Sequence, residues 1–469
     1  MLKPGRYGAA ALALLAALAG SPATPVRAQV ASAPKLPIIR DAEIEQLLRE
    51  YLTPILKAAG LAQQNVRVVI VNDRSFNAFV VDGRRIFVNA GALLDSETPN
   101  QLIGVLAHEV GHIAGGHLAR LRQELARMET AALISTLLGI GAVAAGAATG
   151  ARGDGFANAG IAALSIQPQI LQRSLLSYQR SQEESADRAA IRYLRATGQS
   201  PKGMYDTFQR FTQQTLFLSQ RVDPYTQSHP MPRERLEALS ALAHQSPNWN
   251  KADSPELQLR HNLMRAKIHG FLDRPDSIAR YYPPADTSLP ARYARAIAAY
   301  RHADLRMALG QIDGLIESDP KNPYFHELKG QALLESGRAR EAIAPLRQAA
   351  RLAPHAMLIR ILLGQALVAS NDRELLDEAI ATLRTALVRE PEVPDGFRQL
   401  AIAFARKGDR AQADLASAQA LVAAGDFKTA RELAGRARQH FPVGSPGWVK
   451  ADDIYSYKPP APPAGARPH

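Results

Sequence analysis

The sequence predicts a mainly α (α+β) protein in two parts: a helical domain with a small β-sheet, followed by an α-helical repeat solenoid. Three observations carry this. Short strand-like segments between Asn65 and Asn89 precede a capped helical stretch from Thr98 to Leu118. From about Asp253 the chain turns into Ala-, Leu- and Arg-rich helical sequence. Within it Pro320 and Pro354 stand 34 residues apart, as do Gly330 and Gly364. A fixed period of that size marks stacked helical pairs.

The chain has 469 residues, 46% of them hydrophobic, enough for two or three domains with a real core. It has no cysteine, so a bound metal must be held by nitrogen and oxygen. The net charge is +12, but the basic residues are mostly Arg scattered through helices. No dense basic block interleaved with aromatics is present, and nucleic acid is not expected as a partner. A solvated basic surface and peripheral contact with an anionic membrane both remain open.

Residues 1–28 read as a secretory signal: Lys3 and Arg6, an apolar run from Gly8 to Gly20, then Val26-Arg27-Ala28 before the cleavage point. Asp41 to Gly60 is an amphipathic helix with Ile44, Leu47, Leu48, Tyr51, Leu52 and Ile55 at helical spacing. Asn65–Asn72 is a strand. Asn77–Val81 and Arg85–Asn89 make a hairpin, with Asp82-Gly83 expected as a type I′ turn. Asn77, Ala78 and Phe79 are the candidate edge where an extended substrate could pair; a purely structural hairpin is the alternative.

Thr98-Pro99-Asn100-Gln101 combines an N-cap, a first-turn proline and a glutamine that closes a capping box. The helix it starts carries His108-Glu109-Val110-Gly111-His112. Residues four apart share a helix face, so His108 and His112 can offer two imidazoles to one zinc ion. Glu109 stands beside that face and suits a general base. Val110 and Gly111 put no bulk between the histidines. Such a zincin-like centre needs a third protein ligand from elsewhere.

The nearly uncharged Ala131–Gly150 has three open readings: a buried helix pair, a lid or membrane-contacting segment, or a span. Leu171–Ala196 reads as a long helix containing Glu183-Glu184-Ser185-Ala186-Asp187. Glu183 suits the third ligand, with Glu184 as rival. Asp187, one turn on, could orient a ligand histidine through its free N–H. His229, in Ser228-His229-Pro230, is a loop histidine, and Arg235 reads as a surface or helix-start residue. From residue 253 to 457 the 34-residue period is that of tetratricopeptide repeats, with about three extra residues at Asn371–Glu374. Residues 458–469 are a Pro- and Ala-rich tail, expected to be disordered. The metal-binding part is thus expected over 29–252.

Residues 38–240 resemble the secreted branch of the HtpX-like and CAAX-prenyl-protease-like zinc metallopeptidases. The resemblance lies in IIRDAEIEQLL from Ile38, the NAF hairpin at Asn77, HEVGH at His108, EESAD at Glu183 and SHPMPRER at Ser228. It implies a gluzincin-like metalloendopeptidase with one zinc per subunit, held by His108, His112 and Glu183. Asp187 would support the site, and His229 would be a regulatory fourth ligand that keeps it quiet. With the repeats, it implies a periplasmic enzyme with a chaperone-like role. Its clients would be outer-membrane protein precursors, and the repeats would engage the barrel-assembly machinery. Two other classes remain: a repeat-domain chaperone with a non-catalytic metal site, and an integral-membrane prenyl-type peptidase.

Overall fold

The computed structural model describes residues 36–128, 130, 177–217, 229–230, 233–302 and 304–458. The signal segment, Ala131–Gly150 and the tail beyond residue 458 lie outside these. Residues 37–458 form one compact unit.

The unit opens with β1 (Ile38–Ile39) and α1 (Ala42–Ala58). Asp41 caps α1 by accepting the Ile44 N–H at 2.9 Å, and the apolar stripe read from the sequence is its buried face. β2 (Arg67–Val71), β3 (Ala78–Asp82) and β4 (Arg85–Asn89) complete a mixed sheet in the order β1-β2-β4-β3. β2 and β4 run parallel and the outer pairs antiparallel, leaving β3 at an edge.

The hairpin turn differs from expectation. Asp82 pairs with Arg85 in the ladder, so the turn falls on Gly83 and Arg84. The Asp82 carboxylate accepts the Arg84 N–H at 2.9 Å and Arg85 Nε at 2.8 Å, which holds Asp82 in the strand. Neither turn residue has a positive φ, and a type I′ turn needs two.

After α2 (Ala90–Asp95) comes α3 (Pro99–Ala114), the HEVGH helix. Thr98 and Gln101 form the full capping box, with Pro99 in the first turn. Residues 117–128 form α4 and residues 177–196 form α5. α6 (Lys202–Phe217) and α7 (Arg233–His244) follow. Two glycines let neighbours close on α3. A Cβ at Gly104 would meet Met204 Cβ at 2.5 Å, and one at Gly111 would meet the Ala186 carbonyl oxygen at 2.8 Å. Gly111 therefore does more than leave space between the histidines. It admits the backbone of α5, the helix that carries Glu183.

α8 (Pro255–Leu272) has two buried faces. Met264 and Ile268 join the core around α3, while Leu263 packs with Tyr293 and Phe325 in the first repeat cluster. After α9 (Pro275–Tyr281) the helical pairs run α10 (Leu289–His302) with α11 (Leu305–Ser318), then α12 (Pro323–Glu335) with α13 (Ala339–Leu352). α14 (Met357–Ala369) with α15 (Leu376–Arg389), α16 (Pro394–Lys407) with α17 (Arg410–Ala424), and α18 (Phe427–His440) with α19 (Pro446–Ser456) complete the solenoid. Gly330 admits Leu346, and Gly364 admits Leu383, with an added Cβ at 2.3 and 2.4 Å from the leucine Cγ. The second leucine falls three residues later in its unit, which is where the longer repeat was expected. No helix among the described residues is long and apolar enough to cross a membrane.

Candidate metal centre

The site is built from four elements: α3, α5, the segment at His229 and α7. On α3, one helical turn brings His108 Nε2 and His112 Nε2 to 3.0 Å. From α5, Glu183 places Oε2 3.3 Å from His108 Nε2 and Oε1 3.3 Å from His112 Nε2. His229 completes the group, its Nδ1 3.0 Å from Glu183 Oε2 and 3.4 Å from His108 Nε2. Among the described residues these four form a cluster whose donor atoms all lie within 4.8 Å of one another. Glu184, the rival ligand, is not in it.

The cluster fits a small divalent cation. Tetrahedral bonds of about 2.0–2.1 Å separate ligand atoms by about 3.3 Å, close to the spacings here. A second observation agrees. Glu109 is wholly buried, and neither of its carboxylate oxygens accepts a hydrogen bond. His229 Nε2 lies 3.5 Å from its Oε1. Buried carboxylates without partners are costly, and such atoms mark places where a ligand belongs.

The electrostatics point the same way. Burial opposes ionisation of Glu183, but His229, His108 and His112 around it hold its carboxyl well below the usual range. Burial keeps His112 neutral, down to about 3, with a lone pair to give. His108 is the opposite case. Burial disfavours its charge, yet Asp187 and Glu183 raise it to about 9. The His108 position thus draws positive charge, as a cation site must. Burial, joined by the nearby Glu183 carboxylate, pushes the Glu109 carboxyl up against the pull of His229, His108 and Arg235, which suits a group that must take and return a proton.

Behind the donors stands a supporting layer. His108 Nδ1 lies 2.9 Å from Asp187 Oδ1. Arg235 clamps Asp187 through Nε at 2.6 Å and Nη2 at 2.8 Å. Its Nη1 reaches Glu183 Oε2 at 2.8 Å and the Pro230 carbonyl at 2.9 Å. Burial would raise Asp187, but Arg235 takes it down to about 2. Arg235 is buried, so its reading as a surface residue is corrected. Two carboxylates one turn apart in a core need a cation, and that was the available signal. His117 was also missed. It lies five residues past His112 across Gly115-Gly116, and its Nδ1 is 3.0 Å from His112 Nδ1.

The candidate substrate edge abuts the centre. Ala78 and Phe79 lie at the start of β3, with Asn77 just before, and His229 Nε2 is 3.3 Å from the Ala78 carbonyl. His229 therefore touches the donor cluster, the edge strand and the Glu109 carboxylate together.

Residues 39–243 match the model of peptidase family M48, and residues 293–357 match a tetratricopeptide repeat. Fold, donor set and these matches define a metallopeptidase with tetratricopeptide repeats, whose peptidase part is similar to family M48. The chain is similar over most of its length to the beta-barrel assembly-enhancing protease of Yersinia pestis, at 25% identity over 90% of this chain and 84% of that protein. The beta-barrel assembly-enhancing protease of Escherichia coli (strain K12) is 24% identical over 87% of this chain and 82% of its own. Metalloprotease LoiP of the same strain matches at 28% over 40% of this chain and 68% of that protein.

Proposed function

We propose that this chain is a periplasmic zinc metalloendopeptidase acting on outer-membrane proteins that stall during assembly, with a chaperone-like contribution from its repeats. The signal-like residues 1–28 support the compartment, and the names of its relatives, which speak of β-barrel assembly, support the clients. The peptidase part is taken as 29–252 and the repeat part as 253–457. The repeats would carry contact with the barrel-assembly machinery.

The observation that carries the reading is the convergence of His108, His112 and Glu183 beside a buried carboxylate, Glu109, that has no hydrogen-bond partner. The three donors would hold zinc, which when bound supplies a Lewis acid that polarises a peptide carbonyl. Glu109 takes a proton from the attacking water and delivers it to the leaving amine. Asp187 holds the His108 ring from behind, and Arg235 holds Asp187 and Glu183 in place. The β3 edge at Asn77–Phe79 offers backbone pairing to an extended substrate. His229 acts as a removable fourth ligand. While it sits against Glu183 and the Ala78 carbonyl, it blocks both the open position and the edge.

The test is casein cleavage and metal content for wild type, Glu109→Gln and His229→Ala. Glu109→Gln is expected to keep its metal and lose about 10²–10⁴-fold in rate. His229→Ala is expected to cleave faster. Equal rates for wild type and Glu109→Gln would end the peptidase reading, and no gain in His229→Ala would remove the blocking role.

A further inference from the structure

We propose that His117 is a positioning residue for the metal centre: a neutral imidazole that accepts the Nδ1 proton of His112 and so fixes that ligand's tautomer and ring angle. The proposal rests on the reading of His112 as a metal ligand.

His112 directs Nε2 into the donor cluster, 3.0 Å from His108 Nε2 and 3.3 Å from Glu183 Oε1. A neutral imidazole that gives the Nε2 lone pair to a cation carries its one proton on Nδ1. That Nδ1 lies 3.0 Å from His117 Nδ1. Two ring nitrogens at hydrogen-bond distance need one donor and one acceptor. His112 Nδ1 is the donor, so His117 must present a lone pair at Nδ1 and keep its own proton on Nε2. The rings stand at 87° to one another with centroids 4.9 Å apart. His117 is nearly buried, at 5% exposure.

The chain between the two residues is shaped for this contact. α3 ends at Ala114, and Gly116 takes a φ of +62°, which reverses the chain before α4 begins. The returning His117 ring lies over Gly115. A Cβ at Gly115 would stand 2.2 Å from His117 Nε2 and 2.5 Å from Cδ2. Gly115 therefore has no room for a side chain while the ring is in place. The two ligand histidines thus have different backers: His108 has a carboxylate neutralised by Arg235, and His112 has a neutral ring seated on a glycine.

The experiment is a zinc competition titration of the full-length apoprotein against a chromogenic chelator, with melting of each apoprotein as a check on folding. His117→Ala is expected to bind zinc about 10–100-fold more weakly, the usual effect of losing such a partner, with its apo melting unchanged. His117→Asn places a side-chain oxygen where Nδ1 was and is expected to recover most of that loss. Gly115→Ala pushes the ring away and is expected to weaken binding while leaving the imidazole in the chain. Wild-type affinity in His117→Ala or in Gly115→Ala overturns the proposal, as does an Asn variant no better than Ala. A wild type that binds no zinc overturns the metal reading and this inference together; in the other failures the metal reading survives.

Discussion

Among the described residues charge is buried in two clusters, and they differ in how the carboxylates are handled. Each holds a carboxylate oxygen without a hydrogen-bond partner, on Glu109 in one and Glu327 in the other. At the metal centre, Glu183 and Asp187 are gripped by Arg235 and three histidines, while Glu109 beside them has no hydrogen-bond partner. At the junction of α1, α8, α10 and α12, buried Lys267 sits 2.8 Å from Asp41, 3.2 Å from Glu43 and 3.8 Å from Glu327. Tyr293 donates to Glu43 Oε2 at 2.9 Å. Burial, helped by Asp41 and Glu43, pushes the Glu327 carboxyl up to about 8, toward its neutral form. Buried charge alone therefore does not mark a functional site. The junction draws its surplus carboxylate toward the neutral acid. The metal centre holds Glu183 and Asp187 toward the ionised form and its lone pairs converging, the arrangement a cation can use.

Removing the cation from each cluster gives the largest expected effect and the sharpest contrast. Arg235→Leu leaves Asp187 and Glu183 without their partner, and Lys267→Met does the same to Asp41 and Glu43. Each is expected to cost about 3–5 kcal/mol in urea unfolding of the metal-free protein, the usual cost of breaking a buried pair. Function should separate them. Casein cleavage is expected to fall at least about tenfold in Arg235→Leu, because the groups that orient the ligands are released. It should stay near wild type in Lys267→Met at temperatures where that variant is folded. Equal loss of cleavage in both would show that the junction is part of the working site.

These clusters also show where sequence reading stops. The HEVGH helix, its capping box and the α1 stripe are local patterns, set by residues three or four apart, and they are legible from the chain alone. The repeats were legible for the same reason, since a period of 34 survives a three-residue insertion. Their turns carry a further signal that was not used: Gly337, Asn371 and Gly408 all take positive φ, at +78°, +59° and +82°, at matching points of successive units. Arg235 and Lys267 were not legible. Each finds its carboxylates far away in sequence, and nothing in the spacing of an Arg or Lys says whether a core or solvent surrounds it. His117 lay between these cases. Its position after two glycines was visible, but the reversal that returns its ring to His112 depends on φ at Gly116.

A pH experiment tests the helix that joins the two regions. On α8, His261 Nε2 donates to the Ser96 carbonyl at 2.7 Å, and its Nδ1 accepts from the Tyr51 hydroxyl at 3.1 Å. Burial takes this ring down to about 4. In the unfolded chain it takes a proton near 6.5. Between these values the unfolded state binds more protons, so stability must fall as pH drops from about 6.5 to 4, and this group adds no further loss below that. The full effect is on the order of 3 kcal/mol. Urea midpoints of wild type and His261→Gln across that range should converge as pH falls. Parallel curves would mean that the ring is not held neutral by the fold.

The smallest expected effects come from two glycines that have the same local job in the two regions. Gly364 faces the Leu383 side chain, and Gly111 faces the Ala186 backbone, at 2.4 and 2.8 Å from an added Cβ. Alanine at either site gains about 1 kcal/mol of helix propensity. Against that stands an overpacking cost of about 1–3 kcal/mol, set by how far the neighbour can yield. Leu383 can change rotamer, so Gly364→Ala is expected to end within about 1 kcal/mol of wild type. A carbonyl oxygen cannot turn aside without moving its helix. Gly111→Ala must shift α5, and Glu183 moves with it. Its melting temperature is therefore expected to fall only modestly while cleavage falls much more. The reverse order, with Gly364→Ala the more damaging to cleavage, would mean that the spacing of the repeats and not the α3–α5 approach sets the geometry of the centre.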